Sequence, residues 1–202
     1  MEYVWNDDGT VYPGWPQNAY AVSGGENPQI ASLGDIDDDG DLEIFFTSYW
    51  HKMFAWHHDG TNVNGWPKNN IGEWIFTQPI IGDIDGDGVP DIITQSTHDQ
   101  TNSIIAFNNQ GEILDGFPKE IVSHSGRVYN SAPLIADLDK DGDIEIVSRS
   151  QDQWDGGEFL LRVKVWDLQS EYNLSKMEWP MFQHDTHNTG FYTKKTSDQM
   201  LK

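Results

Sequence analysis

The chain has 202 residues and a formal charge of −21, from 33 acidic and 12 basic residues. Such a surface repels nucleic acid and anionic membranes, which bind proteins through clustered lysine and arginine. No apolar run approaches the roughly 20 residues of a membrane span, and there is no cysteine to form a disulfide. Nine Trp, nine Phe and seven Tyr favour a β-rich folded protein over a disordered one.

Two short aromatic runs open the chain and then recur along it. The run at residues 3–5 is followed by a turn at Asp8-Gly9 and by the triplet Gly14-Trp15-Pro16. The first run returns at residues 54–56, 105–107 and 164–166, and the triplet returns at residues 65–67 and 116–118. Apolar runs separated by glycine, aspartate and proline predict strands joined by tight turns. At these fixed repeat positions we predict core packing for Trp5, Trp56, Trp66 and Trp166.

Three acidic loops at residues 35–43, 83–91 and 137–145 are near copies of one another. Acids occupy loop positions 1, 3, 5 and 9, glycine occupies position 6, and the loops hold 15 of the 33 acids (six, four and five). Like charges this dense are unfavourable unless a cation lies among them. Calcium, which takes six to eight hard oxygen ligands in a flexible shell, is the natural candidate.

The spacing of the loops predicts the fold. Their first aspartates, Asp35, Asp83 and Asp137, are 48 and 54 residues apart, and each period contains four short apolar runs. A repeated four-stranded unit of about 40–50 residues is typical of a β-propeller blade. We therefore predict an all-β propeller of four-stranded antiparallel blades, with three full repeats and a partial one. A WD40 propeller does not fit, because its Gly-His and Trp-Asp signatures are not in register.

The pattern Pro-x-Ile-x-Gly/Ala-Asp-x-Asp-x-Asp-Gly-x-x-Glu/Asp-Ile resembles the FG-GAP/VCBS repeats of integrin-α-like calcium-binding propellers. The resemblance implies a single propeller domain or propeller segment over residues 1–202. Its repeats would span about 5–56, 57–107 and 108–166, followed by a closing tail at 167–202. The segment 179–190 also resembles the closing segment of bacterial secreted propellers of this type.

About three structural Ca²⁺ ions follow from this resemblance. By analogy with such loops, the carboxylates at positions 1, 3, 5 and 9 are ligands, position 7 donates its carbonyl, and Gly40, Gly88 and Gly142 allow the sharp turn. The predicted metal residues are Asp35, Asp37, Asp39, Asp41, Glu43, Asp83, Asp85, Asp87, Val89, Asp91, Asp137, Asp139, Asp141, Asp143 and Glu145. The alternative is a solvated acidic turn without metal. An EF-hand does not fit, because it needs a glutamate at position 12 and flanking helices.

A parity argument predicts which face binds a ligand. In an antiparallel meander successive connections alternate between the two ends of a blade. The calcium loops therefore share one face with the turns after the third strands, and the remaining connections share the other. That other face is rich in aromatic and polar residues, which suits a carbohydrate or protein ligand. Its candidate ligand-binding residues are Tyr49, Trp50, His51, Trp74, His98, Arg127, Tyr129 and Trp154. Alternatively, Trp50, Trp74 and Trp154 pack between blades.

No catalytic set is evident, and we expect a non-enzymatic, extracellular or cell-surface binding or adhesion module without nucleic-acid partners or membrane insertion. No signal peptide is visible. One alternative is a polysaccharide lyase or hydrolase that uses residues of the ligand face, such as His51, His98, His124, Arg127, Tyr49 and Tyr129. Another is a self-assembling fibre or surface-layer subunit with open blade edges. His184 and His187 have a metal-like spacing without a third ligand, so we expect them at the surface or in ring closure.

Strand counting leaves closure of the propeller open. The chain yields about three and a half blades, with Trp179-Pro180 expected as the last outer strand, whereas closed propellers use four to eight. The two ends of the chain could combine into a fourth blade, the chain could be part of a larger propeller, or copies could associate through their edges.

Overall fold

The computed structural model describes residues 1–19, 31–48, 52–69, 71–72, 77–98, 101–121, 129–153 and 159–192. Within these ranges the fold is all-β, with one short 3-10 helix at Leu174–Lys176 and no α-helix. The strands are β1 (Ser32–Gly34), β2 (Glu43–Ser48), β3 (Lys52–Trp56), β4 (Lys68–Asn69), β5 (Ile80–Gly82), β6 (Asp91–His98), β7 (Thr101–Phe107), β8 (Lys119–Glu120), β9 (Tyr129–Asn130), β10 (Leu134–Ala136), β11 (Asp143–Gln153) and β12 (Phe159–Glu171). None of these described segments is a helix that could span a bilayer.

The strands form three antiparallel sheets in chain order. The first sheet is β1-β2-β3-β4 and the second is β5-β6-β7-β8. In the third sheet, β9 and β10 pair with successive parts of β11, and β12 pairs with β11 along its other edge. The predicted antiparallel four-stranded unit is therefore confirmed in the first and second sheets, the third sheet is three strands wide, and a closed propeller ring is not shown by the described residues.

Residues 2–17 form a hairpin that repeats the outer half of a sheet. It is held by isolated bridges Glu2↔Gln17 and Trp5↔Val11. The bridge Trp56↔Asn62 follows β3 in the same way, and Phe107↔Ile113 follows β7. Each of the three Gly-aromatic-Pro turns has a cis peptide bond before its proline. The N-terminal aromatic run and its triplet thus occupy the repeat positions of a third and a fourth strand, as the repeat alignment predicted, but they pair only through isolated bridges.

Apolar side chains fill the space between successive units. One cluster joins the hairpin to the first sheet through Trp15, Phe54 and Trp56, whose rings contact one another. The cluster between the first and second sheets mixes isoleucine with aromatic side chains, and the cluster between the second and third sheets is dominated by isoleucine. The indole N–H of Trp15 also donates to the His58 carbonyl at 2.8 Å, so the triplet turn of one unit contacts the turn of the next.

The C-terminal residues run between the first strands of the sheets. Trp179 exchanges two backbone hydrogen bonds with Ile81 of β5, at 2.8 and 2.9 Å, and the N–H of Ile135 in β10 donates to the Pro180 carbonyl. We call residues 176–180 the central segment. Sequence analysis placed Trp179-Pro180 in an outer strand, and this prediction is wrong. The third sheet consequently has no strand beyond β12 among the described residues.

Glycine at the end of a first strand makes room for the central segment. A Cβ added to Gly82 would lie 2.7 Å from the Met177 sulfur, and one added to Gly34 would lie 3.2 Å from the Glu178 Cβ. A side chain at position 82 would therefore require the Met177 side chain to move. The segment is further held by a hydrogen bond from the Tyr192 hydroxyl to the Glu178 carboxylate.

One other prediction about an aromatic side chain is wrong, and the expectation for one histidine is narrowed. Trp5, predicted to pack in the core, is 59 % exposed, because no sheet among the described residues packs on the outer side of the hairpin, whereas Trp56 and Trp66 are buried as predicted. His184 is only 3 % exposed and its ring lies 5.0 Å from that of Trp179. His184 therefore packs around the central segment and does not lie at the surface, and the alternative role in ring closure stays a prediction.

Candidate metal centre

Each acidic loop joins the first strand of a sheet to the second. The loops follow β1, β5 and β10 directly and lead into β2, β6 and β11. The glycines at position 6, Gly40, Gly88 and Gly142, have φ of 93°, 91° and 98°. No atom lies within 4 Å of a Cβ built on any of them. The backbone conformation, and not lack of space, therefore explains glycine at this position, as the sequence predicted.

The carboxylate at position 9 closes each loop by a bond to the backbone. The N–H of Ile36 donates to Glu43 Oε2 at 3.1 Å, that of Ile84 to Asp91 Oδ2 at 2.9 Å, and that of Leu138 to Glu145 Oε2 at 2.5 Å. All three acids are buried. Sequence analysis assigned position 9 only as a ligand. The structure adds that one oxygen of the position 9 carboxylate accepts the backbone hydrogen bond that closes the loop. Only the second oxygen of this carboxylate could then bind a cation.

Carboxylate oxygens converge in all three loops. The groups whose ligand atoms lie within 4.8 Å of one another are Asp35, Asp37 and Asp39 in the first loop, Asp83, Asp85 and Asp91 in the second, and Asp137, Asp139 and Glu145 in the third. These acidic clusters could hold a metal ion. Their members occupy positions 1, 3, 5 and 9 of the predicted ligand set.

The other predicted ligands lie at the edge of these clusters. The backbone N–H groups of Asp41, Asp87 and Val89 donate to carboxylates two residues earlier, and so do those of Asp141 and Asp143. Such bonds hold the position 3 and position 5 carboxylates in tight local turns. The role of each of the fifteen residues as a ligand stays a prediction, because convergence alone does not assign coordination.

Burial works against the charged form of several of these acids. Removal from water raises the pKa of Glu43 and of Asp83, and it raises the pKa of Asp91 from 3.8 to about 8. The neighbouring Asp85 and Asp83 charges add to the shift at Asp91. A cation among these oxygens would favour the charged form instead. The loops are therefore unfavourable as isolated anions and suited to a bound positive charge.

The third loop provides a direct test of whether a cation fits. Its buried oxygens Asp137 Oδ1 and Glu145 Oε1 have no hydrogen-bond partner. A buried charged oxygen without a partner is strongly unfavourable, so it is normally compensated by a hydrogen bond, a counter-charge or a metal. Both oxygens belong to residues of the acidic cluster of this loop. The donor set consists of carboxylates only, which suits a hard cation.

Histidine distinguishes the first loop from the other two. His57 Nδ1 lies 3.0 Å from Glu43 Oε1, and Asp37, Glu43 and His57 form a further group of converging ligand atoms. His58 Nδ1 lies 3.5 Å from Asp41. Sequence analysis did not include His57 in the site. The repeat alignment contains a signal for it, because the equivalent residues Asn108 and Asp167 also follow the third-strand aromatic.

These histidine contacts also confirm the parity argument. His57 and His58 belong to the turn after β3, whereas Glu43 and Asp41 belong to the loop between β1 and β2. The turn and the acidic loop therefore share one end of the first sheet, as the antiparallel meander predicted.

The predicted ligand-binding face is not tested by the structure. Six of the eight candidate ligand-binding residues lie outside the described ranges: Tyr49, Trp50, His51, Trp74, Arg127 and Trp154. His98 lies at the end of β6 and Tyr129 in β9, where only the backbone is described. The assignment of these eight residues to a binding surface stays a prediction.

Comparison with known proteins gives one match. A family model described as an FG-GAP-like repeat matches residues 35–94 and 83–148, which together cover more than half of the chain. Both matches begin at the first aspartate of an acidic loop and end within the second strand of the following sheet, β6 for the first match and β11 for the second. No curated protein matches the chain, and no solved structure matches it.

Proposed function

Because the chain belongs to the FG-GAP-like repeat family, we propose that it is a calcium-stabilised β-propeller-type module that binds a carbohydrate or protein outside the cell. The observation that carries the proposal is the convergence of carboxylates in three equivalent loops. FG-GAP-like repeats are typically non-catalytic, and the module would act by binding.

Calcium is favoured over magnesium by the form of the loops. Each loop offers several carboxylates from nine consecutive residues, and Ca²⁺ accepts six to eight oxygen ligands at varied angles. Mg²⁺ demands near-ideal octahedral geometry and keeps several of its waters, so it is rarely held by an all-protein cage. In the proposed role, the cation would connect the first and second strands of each sheet and compensate the buried acids.

Calorimetric titration of the metal-free protein with CaCl₂ tests the metal part of the proposal. We expect about three sites, and the protein should melt at a markedly lower temperature in EDTA than in calcium, because only the folded chain assembles the loops. Titration with MgCl₂ is the matched control and should give much weaker binding. A melting temperature that is the same in EDTA and calcium would contradict a structural role for the metal.

The binding part of the proposal concerns the face opposite the loops. It is supported by the aromatic and polar residues that the sequence assigns to that face, including Tyr49, Trp50 and Trp154. Screening the calcium-loaded protein against immobilised glycans and peptides would test it, with a W50A/W154A variant as the comparison. Loss of a detected ligand in this variant, with an unchanged calcium stoichiometry, would assign binding to this face. Retention of full affinity for the ligand in this variant would exclude this face as the binding site.

The lyase or hydrolase alternative has a separate test. Incubation with acidic polysaccharides should produce neither unsaturated ends, which absorb in the ultraviolet and would reveal a lyase, nor new reducing ends, which would reveal a hydrolase, if the module is non-catalytic. An extracellular location is part of the proposal, since loops of this chemistry fill at about 10⁻⁴–10⁻³ M calcium in extracellular modules.

A further inference from the structure

We propose that copies of this chain associate head to tail, with the open face of the third sheet packed against the open face of the N-terminal hairpin. The array of described units runs from the hairpin through the first, second and third sheets, and at each end of this array an apolar face is not covered by another described unit. We call these the sheet face (Leu134, Val147, Val163 and Val165) and the hairpin face (Tyr3 and Trp5).

The sheet face has the same repeat positions as faces that are buried inside the array. Strand register pairs Phe45 with Ala55 in the first sheet, Ile93 with Ala106 in the second, and Val147 with Val165 in the third. The first two pairs are fully buried by the next unit. Val165 is 46 % exposed and the neighbouring Val163 is 68 % exposed. The third sheet thus presents a surface that its two equivalents bury.

The hairpin face also corresponds to faces that are buried inside the array, but these equivalents pack against the preceding unit and not against the next one. Trp5 occupies the repeat position of Trp56 and Phe107, as the equivalent bridges to Val11, Asn62 and Ile113 establish. The ring of Trp56 lies 5.7 Å from that of Trp15 in the preceding unit, and the ring of Phe107 lies 5.6 Å from that of Trp66. No described unit packs on the corresponding side of Trp5, which is 59 % exposed and stacks on the exposed ring of Tyr3.

These two faces are therefore the two sides of one contact that the chain already makes three times. A second copy would cover each open face with the same kind of surface that covers its equivalents inside the array. A contact between two sheet faces, or between two hairpin faces, would repeat none of the internal interfaces. A contact that joins different surfaces of two copies is heterologous, and it closes into a ring or continues as a filament. Open apolar patches rimmed by polar residues are typical of such interaction sites.

Charge opposes this association and makes it conditional. Each copy carries −21, which three bound Ca²⁺ would lower to −15. Repulsion between like-charged copies weakens when charge is neutralised and when salt shortens the Debye length. Because the faces come from only a few strands, we expect weak association that increases with protein concentration, calcium and salt.

Sedimentation velocity of the full chain in calcium tests the inference. The monomer of 23.0 kDa should give way to larger species as concentration rises. Either W5S, in the hairpin face, or V165K, in the sheet face, should abolish the increase. The matched control is I113S, which alters an exposed apolar side chain (52 %) at the repeat position of Val11 but inside the array. This control should associate like the unaltered protein.

Mixing the two inactive variants distinguishes head-to-tail association from every symmetric arrangement. W5S keeps an intact sheet face and V165K keeps an intact hairpin face, so an equimolar mixture should form a dimer although neither variant associates alone. Melting in calcium verifies that both variants are folded, which is expected because both side chains are exposed.

Three outcomes would overturn the inference. The first is a monomer at all concentrations and salt conditions, which would leave the two faces to another part of the chain or to a different protein. The second is association that survives both substitutions. The third is failure of the mixture to dimerise. None of these outcomes bears on the calcium titration, so the inference and the proposed function can fail separately.

Discussion

The position 9 carboxylate has two tasks in each acidic loop. One oxygen of Glu43, Asp91 or Glu145 accepts the backbone N–H of loop position 2, which fixes the loop from its far end. The second oxygen differs among the loops. In the first loop it contacts His57, and in the third it is buried without a partner. The three loops are therefore alike in backbone closure and different in the group available to a cation.

Glu145→Gln separates these two tasks. The amide oxygen can still accept the Leu138 N–H, but the charge near the cation is lost. We expect roughly 10–100-fold weaker calcium binding at one of three sites, the range seen for groups that support a metal. In EDTA the variant should melt at a higher temperature, because an uncompensated buried charge has been removed.

Asp143→Asn is the matched control for Glu145→Gln. It removes the same charge from the same loop at a position where only the carbonyl is a predicted ligand. Calorimetry should find three sites of nearly unaltered affinity. Equal losses in the two variants would show that net charge alone, and not the position 9 oxygen, governs binding.

Stability of the metal-free protein should rise as pH falls from 8 towards 4. Burial raises the pKa of Asp91 from 3.8 to about 8, so in this range the folded chain holds a proton that the unfolded chain releases. The free energy of unfolding in EDTA should then increase on acidification by up to about 1.4 kcal/mol per pH unit, the slope for one proton. This stabilisation is fully present below pH 3.8 and is lost as pH rises through 8. Urea unfolding at a series of pH values measures it.

Calcium should reverse the direction of this pH dependence. A cation and a proton compete for the same carboxylate, so the loaded protein should lose stability as pH falls. Asp91→Asn should flatten the dependence in EDTA. An unaltered pH profile in this variant would assign the proton to a different group.

At the scale of elements, the central segment connects parts of the chain that are distant in sequence. Trp179 pairs with Ile81 and is 2 % exposed, and Pro180 accepts a hydrogen bond from Ile135. Buried hydrogen bonds also join neighbouring sheets directly, as between Ser148 Oγ and Gln95 Oε1 at 3.0 Å. The first strands of the second and third sheets are thus held together by a strand-like segment that belongs to neither.

Trp179→Ala should lower the free energy of unfolding by about 3–5 kcal/mol, the range for buried tryptophan or phenylalanine replaced by alanine. The loss of packing should also make the tail more sensitive to protease. Phe182→Ala is the control three residues later, because this ring is 45 % exposed, and its effect should stay within about 0.5 kcal/mol. Similar effects of both substitutions would argue against a structural role for the central segment.

At the scale of the whole molecule, charge and fold oppose each other. The acids that give the chain −21 are concentrated in the loops, and the described loops lie at the ends of sheets whose cores are apolar. Net charge of this size destabilises a compact state through self-repulsion. Cations are therefore expected to stabilise the molecule in two ways, by specific binding in the loops and by general screening.

Screening should matter more when calcium is absent. Raising NaCl from about 0.01 to about 0.1 M shortens the Debye length from about 30 to about 10 Å. The melting temperature should rise with salt in EDTA and rise less in calcium, because the bound ions have already neutralised part of the charge. Replacing NaCl by sucrose at equal osmolality is the control. Equal salt dependence in both conditions would indicate that calcium does not neutralise the loops.

Patterns between near neighbours in sequence were sufficient to predict the loops and the order of strands in the first and second sheets. The acids at positions 1, 3, 5 and 9 and the glycine at position 6 act within nine residues, so their arrangement depends little on the rest of the chain. The same holds for the hairpin at residues 2–17, whose bridge repeats after β3 and β7.

Tertiary packing alone decided the position of the tail, the exposure of Trp5 and the contact of His57 with Glu43. The sequence Trp179-Pro180 resembles the aromatic-proline turns of the outer strands. The backbone of Trp179 nevertheless pairs with Ile81, nearly a hundred residues earlier. Trp5 and Trp56 have the same repeat position and opposite burial, because a tryptophan is buried only where another unit covers it. Local sequence therefore determined what each repeat forms, whereas the number and order of packed neighbours determined which surfaces remain open.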